Sequence, residues 1–240
     1  DYRLQVRDES GNVVVASYEA PLQTLGLDGA AITVLASGFL SPGEDEASFG
    51  LYAALASGGD FVQLPTSMTK VQVIHNSADV NAEMVDVYLN DEILLDDFMF
   101  RTSTPFVDLK AGVNTKIDIA PSTSSDVTES IYTLNAALDA DKKYIIVANG
   151  LVGGSGDDAF DLFIYDMAKE EAGSGMTDVL VFHGATDAPT VDVFESSIPA
   201  GTIVDNLAYG EFAGYLPLTT LDYRLQIQDE TGSVVVASYE

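Results

Sequence analysis

The two ends of the sequence carry copies of one segment. Residues 1–19 (DYRLQVRDESGNVVVASYE) and residues 222–240 (DYRLQIQDETGSVVVASYE) are identical at fifteen of nineteen positions and lie 221 residues apart. A match of this length does not arise by chance, so the two copies are expected to form the same structural element. A chain that holds one element twice is predicted to belong to a repeating architecture, which restricts its fold more than any other feature.

A weaker periodicity lies within the 221-residue period. Residues 73–79 (VIHNSAD) resemble residues 181–187 (VFHGATD), and a Val-Asp-Val-aromatic run follows each, at 85–88 and 191–194. The two histidines are 108 residues apart, close to half of the longer period. One period is therefore predicted to contain two related domains of about 110 residues, an ordinary domain size. The residues of this repeat motif that could carry chemistry are His75, Asp79, Asp86, His183, Asp187 and Asp192.

The phase of the copies predicts how the domains divide. Residues 65–172 are predicted to form one complete β-sandwich domain. Residues 173–240 contain the N-terminal part of a second domain, and residues 1–64 contain the C-terminal part of that domain type. A partial β-domain leaves backbone groups unpaired, so we expect an equivalent of residues 1–64 from the next unit to complete residues 173–240.

The completing strands have three possible sources. They could come from the next repeat of a longer tandem array, or from a separate subunit by donor-strand complementation. The two halves could also fold together within one chain, but one copy of the duplicated segment would then be surplus. The first two arrangements both predict a fibre of stacked domains, and covalent continuity is the simpler.

Strand patterns run along the whole chain. Tyr2, Leu4 and Val6 alternate with polar residues, and residues 144–148 form the continuous apolar run that is typical of a central strand. Residues 45–55 and 159–168 are mildly compatible with helix. Turn residues separate the runs, and the whole pattern predicts an all-β fold of tandem immunoglobulin-like β-sandwich domains, one complete and two complementary partial domains. Residues 64–67 and 169–175 are the expected joints.

Composition limits the partners. The chain has 38 acidic and 10 basic residues, a net charge of −28, which disfavours binding to nucleic acid and to anionic membranes. It contains no run of 18 apolar residues, so no membrane insertion is expected. It contains no cysteine, which excludes disulfides, thiolate metal sites and cysteine nucleophiles within this sequence.

The repeated motifs carry a family resemblance. His-x-Ser/Ala-x-Asp, Val-Asp-Val-Tyr/Phe and residues 212–218 (FAGYLPL) before a Tyr-x-Leu-x-Val/Ile strand resemble the domain of unknown function 4397 family. The resemblance covers nearly the whole chain, although residues 79–81 (DVN) differ from the usual Asp-Ala-Pro at 187–189. It implies secreted or surface-attached tandem domains that are immunoglobulin-like or transthyretin-like. It supplies no established catalytic residues.

Each histidine precedes an acid by four residues, as in His75 with Asp79 and His183 with Asp187. Such a pair could transfer protons or bind a metal. It could equally be a histidine at a strand end whose hydrogen bonds orient the following turn. We favour this second interpretation because one histidine per domain without cysteine is a poor zinc site.

Clusters of acids suggest calcium, which takes six to eight oxygen ligands. The candidates are Asp157, Asp158, Glu44 and Asp45, although none matches the spacing of a dedicated calcium loop. Tyr209, Phe212 and Tyr215 could form a platform for surface polysaccharide, but no tryptophan is present to stack on sugars.

The sequence contains none of the short signatures of common enzymes, so we expect no enzymatic activity and no cofactor other than possible calcium. Our first hypothesis is a structural repeat unit of an extracellular filament or adhesin stalk, whose partners are copies of itself joined head to tail. The alternative is a cell-surface module that binds calcium or carbohydrate. A hydrolase that uses His75 or His183 comes third.

Overall fold

The computed structural model describes residues 2–198 and 200–240, so Asp1, the first residue of the duplicated segment, lies outside the described residues. The described residues form twenty β-strands and contain no α-helix, which confirms the predicted all-β class. The two runs that are mildly compatible with helix contain strands instead. In the described part of the chain, no helix has the length and apolar character needed to cross a membrane. The same described residues include three short 3₁₀ turns, at Val80–Ala82, Val127–Glu129 and Gly156–Asp158.

The chain forms two compact units. The first comprises Asp1–Lys70, Asp108–Thr115 and Asn135–Lys142, and the second comprises Val71–Val107, Lys116–Leu134 and Lys143–Glu240. The predicted division at residues 64/65 and 172/173 follows the sequence repeat rather than compactness, and it stays a prediction.

The N-terminal strands form a hairpin and a small sheet. They are β1 (Tyr2–Arg7), β2 (Val14–Ala20), β3 (Ile32–Ser37), β4 (Gly50–Leu55) and β5 (Val62–Gln63). β1 and β2 form a two-stranded antiparallel sheet, and β3, β4 and β5 form a three-stranded one. Tyr18, Leu51 and Leu64 are the buried centre of the apolar cluster here, so alternating apolar residues of the hairpin are its inner face, as the sequence pattern predicts.

The middle of the chain forms two larger sheets. Its strands are β6 (Met68–His75), β7 (Met84–Leu89), β8 (Glu92–Met99), β9 (Thr102–Ser103), β10 (Val107–Lys110), β11 (Asn114–Pro121), β12 (Tyr132–Ala137), β13 (Lys143–Asn149) and β14 (Asp161–Tyr165). One sheet has the order β12-β11-β7-β8, and the other has the order β10-β6-β13-β14 with β9 also paired to β6.

Strand β13 is the central strand that its apolar run predicts. All residues from Tyr144 to Asn149 are buried, since both faces of the strand are covered. Lys70 N–H of β6 donates to the carbonyl of Lys142, directly before β13, and Asn76 N–H, directly after β6, donates to Ala148 O of β13. Both pairs have the same sequence separation, so β6 and β13 run parallel.

The C-terminal strands repeat half of this plan. They are β15 (Met176–Phe182), β16 (Val191–Glu195), β17 (Gly201–Leu207), β18 (Phe212–Thr219), β19 (Leu225–Asp229) and β20 (Val235–Tyr239). The sheet β20-β19-β16-β17 has the same order as β12-β11-β7-β8, and β15 and β18 form a two-stranded sheet. Val193, Val204 and Leu207 are buried at the centre of the apolar cluster in this part of the chain.

Candidate functional site

The duplicated segment folds into the same hairpin at both ends of the chain. In the first copy Leu4 pairs with Tyr18, and in the second copy Leu225 pairs with Tyr239. The register shifts by one residue at the same place in both copies, directly after Val6 and directly after Ile227. A bulge at an identical position shows that the local sequence determines the hairpin.

The turn of each hairpin is held by one aspartate. Asp8 N–H donates to Val13 O over 3.0 Å, and Asp229 N–H donates to Val234 O over the same distance. The Ser10 hydroxyl and the Val13 N–H both donate to the Asp8 carboxylate and lower its pKa below the usual value. The pKa of Asp229 is lowered in the same way, first by the Val234 N–H. These bonds to the charged form require only local residues, so the turn is independent of its surroundings.

The surroundings of the two hairpins are complementary. Tyr18 is 4% exposed within its apolar cluster, whereas Tyr239, the same residue of the second copy, is 61% exposed. Strand β19 pairs with β20 on one edge and with β16 on the other, whereas its counterpart β1 pairs with β2 in a two-stranded sheet. Each copy therefore has the neighbours that the other copy lacks.

A second pair of segments shows the same relation. Gly150 (φ +97°) and Gly38 (φ +90°) follow β13 and β3, and a Cβ on either would lie 2.3 or 2.2 Å from a carbonyl oxygen of Ala159 or Ser48. In both segments the next residue forms a parallel bridge with the end of its loop, Leu151 with Ala159 and Phe39 with Ser48. Strand β3 is therefore the structural counterpart of β13, but no residue of β3 is buried.

Each motif histidine is bound to the turn that follows its strand. His75 Nε2 lies 2.7 Å from Ala82 O, and His183 Nε2 lies 2.9 Å from Pro189 O. Because a carbonyl only accepts, Nε2 carries the proton in both rings. Burial lowers the pKa of His75, and the bond to Ala82 opposes this shift only in part. Among the described residues, no hydrogen-bond partner reaches His75 Nδ1.

The first acid of the motif has different partners in the two copies. Asp79 accepts the Asn81 N–H over 2.9 Å and the Val152 N–H over 2.7 Å, and so fixes the turn against the loop after β13. Asp187 is exposed, and it makes no hydrogen bond or ion pair with residues 2–198 or 200–240.

The second acid of the motif holds a bulge in the neighbouring strand. Asp86 accepts the Asp97 N–H over 3.1 Å, and Asp192 accepts the Asn206 N–H over 2.7 Å. Asp97 (φ +54°) and Asn206 (φ +53°) share the left-handed backbone of the bulge. The Ser124 hydroxyl donates to the other oxygen of Asp86 over 2.7 Å. Both buried carboxylates thus bind protein donors.

A comparison with known families places most of the motif residues within one family match. A family described as "Domain of unknown function (DUF4397)" matches residues 69–194, more than half of the chain. The chain belongs to the DUF4397 family. The resemblance predicted from the motifs is thereby confirmed, and the matched range includes His75, His183 and the acids that follow them. A comparison with curated proteins found no match.

The acids predicted as calcium ligands lie in exposed loops of the DUF4397 protein. Asp157 and Asp158 form part of a 3₁₀ turn, and Glu44 and Asp45 lie in the loop between β3 and β4. Within the described residues, neither pair belongs to a group of three carboxylates that could share an ion. One such group does occur, with ligand atoms within 4.8 Å of one another, and it consists of Asp86, Asp96 and Asp97.

One polar joint was missed by sequence reasoning. The Asn149 amide accepts from Asn76 over 2.8 Å and donates to Gly184 O over 3.1 Å and to the Tyr209 hydroxyl over 2.9 Å. It thereby ties the end of β13 to the loop after β15 in this DUF4397 chain. The signal available in the sequence was the polar residue Asn149 directly after the apolar run of residues 144–148.

The aromatic residues suggested as a sugar platform pack internally. Phe212 lies 4.6 Å from Phe182 and 5.2 Å from Tyr165 between ring centroids, and Tyr215 meets Tyr165 edge-on. Residues of β14, β15 and β18 therefore belong to one apolar cluster. The predicted linker is also held, because Lys169 donates to Asp178 over 2.6 Å and lies 5.0 Å above the Tyr215 ring.

Proposed function

We propose that this DUF4397 chain is a structural repeat unit of an extracellular filament or adhesin stalk, in which tandem β-sandwich domains join head to tail with copies of the same sequence. One observation carries the proposal. The same hairpin is built twice, and Tyr18 is covered where Tyr239 is exposed. An apolar surface that is exposed in one copy and buried in the other is typical of an interface that a neighbour completes.

The strand order refines the proposed sandwich. In the complete domain we count β6 as the first strand and treat β9 and β10 together as the fourth. The sheet β12-β11-β7-β8 then has the order 6-5-2-3, and the sheet β10-β6-β13-β14 has the order 4-1-7-8. In immunoglobulin domains the first strand lies beside the second, whereas here it lies beside the seventh. Of the two folds that the family resemblance implies, we therefore favour the transthyretin-like one for each domain.

The contacts at the joint suit a mechanical role. Aromatic rings of β14, β15 and β18 pack against one another at tilted or edge-on angles. Asn149 donates to Gly184 O, and Lys169 donates to Asp178. A joint that combines a packed apolar face with fixed hydrogen bonds resists bending more than a flexible linker does. The net charge of −28 would keep such fibres apart in solution.

We propose no catalytic role for the motif residues. The Nε2 atom of each histidine is hydrogen-bonded to a carbonyl, and Asp86 and Asp192 bind backbone amides. These contacts support a structural function, because an atom that is already hydrogen-bonded to the backbone is not free to act as a general base.

Electron microscopy of a chain that carries several 221-residue periods tests the proposal. We expect thin, unbranched particles whose length grows in proportion to the number of periods. Particles that remain compact and of constant length would overturn the proposal. Calorimetry with calcium and with a panel of glycans tests the alternative, since a pure stalk gives no saturable heat.

A further inference from the structure

We infer that the free edge of β15 in one copy pairs in parallel with β3 of the next copy, so that residues 176–240 of one copy and residues 20–64 of the next form a single two-sheet domain. The inference rests on the proposed function and specifies the partner segment and the register.

The strands on the two sides add up to one complete set. Residues 176–240 supply β20-β19-β16-β17, the counterpart of the complete sheet β12-β11-β7-β8, and they supply β18 and β15 as counterparts of β10 and β6. The two counterparts still missing are those of β13 and β14. Strands β3 and β4 have that geometry, since the loop between them repeats the bridge and the glycine of the loop between β13 and β14.

The complete domain gives the register of the new pair. There, Asn76 N–H donates to Ala148 O over 2.8 Å. Gly184 follows its histidine as Asn76 does, and Ala36 precedes its glycine by two residues as Ala148 does. Gly184 N–H is thereby assigned to Ala36 O of the next copy.

Asp187 gains a partner in this register. In the complete domain, Asp79 accepts the N–H of Val152, which lies two residues after Gly150. The residue two after Gly38 is Leu40, whose side chain is exposed like that of its neighbour Phe39. The Asp187 carboxylate, which binds none of the described residues, is therefore assigned to Leu40 N–H of the next copy.

The same pairing between copies also covers the apolar face of the second hairpin. In the first hairpin, Tyr18 packs against Leu51 and Leu64 of the strands that follow it. Tyr239 is the counterpart of Tyr18, and Glu240 is the counterpart of Glu19, so Ala20 is the residue that continues the second copy in sequence. Leu51 and Leu64 of the next copy then bury Tyr239.

An extended chain tests the inference. A second copy of residues 20–64 is fused directly after Glu240 of the full chain, and hydrogen exchange of β15 is compared with that of the unextended chain. We expect amides of β15 to exchange at least about tenfold more slowly in the extended chain, because the free edge of this strand becomes paired. In a matched control the appended copy carries Gly38→Ala, whose Cβ would overlap the Ser48 carbonyl, and the gain should disappear.

Asp187→Ala tests the register. We expect it to lower the unfolding midpoint of the extended chain while leaving that of the unextended chain unchanged, whereas Asp79→Ala should lower both. No gain in protection would overturn the composite domain, and a gain without an effect of Asp187→Ala would overturn the register. Neither result depends on whether several periods form fibres, which the electron micrographs decide separately.

Discussion

Three of the four motif acids accept hydrogen bonds from backbone donors. Asp79 caps a turn, and Asp86 and Asp192 each accept the N–H of a bulge residue with positive φ. The histidines do the converse and donate to backbone carbonyls. At the scale of single residues, the repeated chemistry of this chain therefore fixes turns and bulges, which explains why polar residues recur at strand positions that are buried.

Removal of the Asp86 carboxylate should destabilise the protein. Asp86 is 1% exposed and accepts from both Asp97 N–H and the Ser124 hydroxyl. Asp86→Ala leaves these donors unpaired and should lower the free energy of unfolding by about 2 kcal/mol in urea titrations. Asp96→Ala, at the exposed neighbour in the same acidic group, should cost much less. If calcium raised the stability of the wild type and Asp86→Ala abolished that gain, the group would be a metal site.

Acid should weaken the fold through His75 before the carboxylates titrate. The pKa of His75 is lowered by burial, so below its ordinary value of 6.5 the unfolded chain binds a proton that the folded chain does not. Stability should therefore be constant above pH 6.5 and should fall as the pH drops from there towards 5. His75→Asn should flatten this slope in thermal melts, whatever its effect on the midpoint at pH 8. An unchanged slope in His75→Asn would contradict the assignment, and His183→Asn serves as the comparison.

At the scale of elements, the duplicated hairpin occupies two settings, and so do the counterpart strands β3 and β13. Strand β13 is buried on both faces, whereas its counterpart β3 has no buried residue. The local sequences are strand-forming in both cases, so the difference comes from neighbours and not from propensity.

The two tyrosines of the duplicated hairpin provide an internal control. Tyr18→Ala should lower the free energy of unfolding by about 3 kcal/mol, because it opens a cavity beside Leu51 and Leu64. Tyr239→Ala, the same change at an exposed position, should have little effect in the 240-residue chain and a comparable effect once residues 20–64 are appended. Chemical denaturation measures both, and equal costs in the unextended chain would contradict the exposure difference.

Much of the strand layout could be predicted from local patterns. The duplicated hairpin, the central strand at residues 144–148 and the all-β class follow from alternation, apolar runs and turn residues, which act over a few residues. The parallel pairing of β6 with β13 could not be predicted, because no local pattern specifies a partner that far along the chain. The bulges held by Asp86 and Asp192 were also hidden, since a positive φ at Asp97 or Asn206 has no distinctive sequence signal.

For the whole molecule, charge should control how proposed fibres associate. A net charge of −28 per 240 residues repels neighbouring fibres over distances set by the Debye length, about 8 Å at 0.15 M salt and about 30 Å at 0.01 M. Chains with several periods should therefore stay dispersed at low ionic strength and bundle laterally as salt is added. Light scattering across a salt series checks this, and scattering that does not change with salt would contradict it.

The pairing of the second hairpin with β16 has a consequence for biosynthesis. In the proposed tandem array, β16, β17, β19 and β20 would complete their four-stranded sheet before the next repeat has been translated, because all four strands lie within residues 191–239. The strands of each new repeat would then pack onto a sheet that has already folded. Vectorial growth of this kind would protect a chain of nearly identical repeats from pairing its strands with the wrong neighbour.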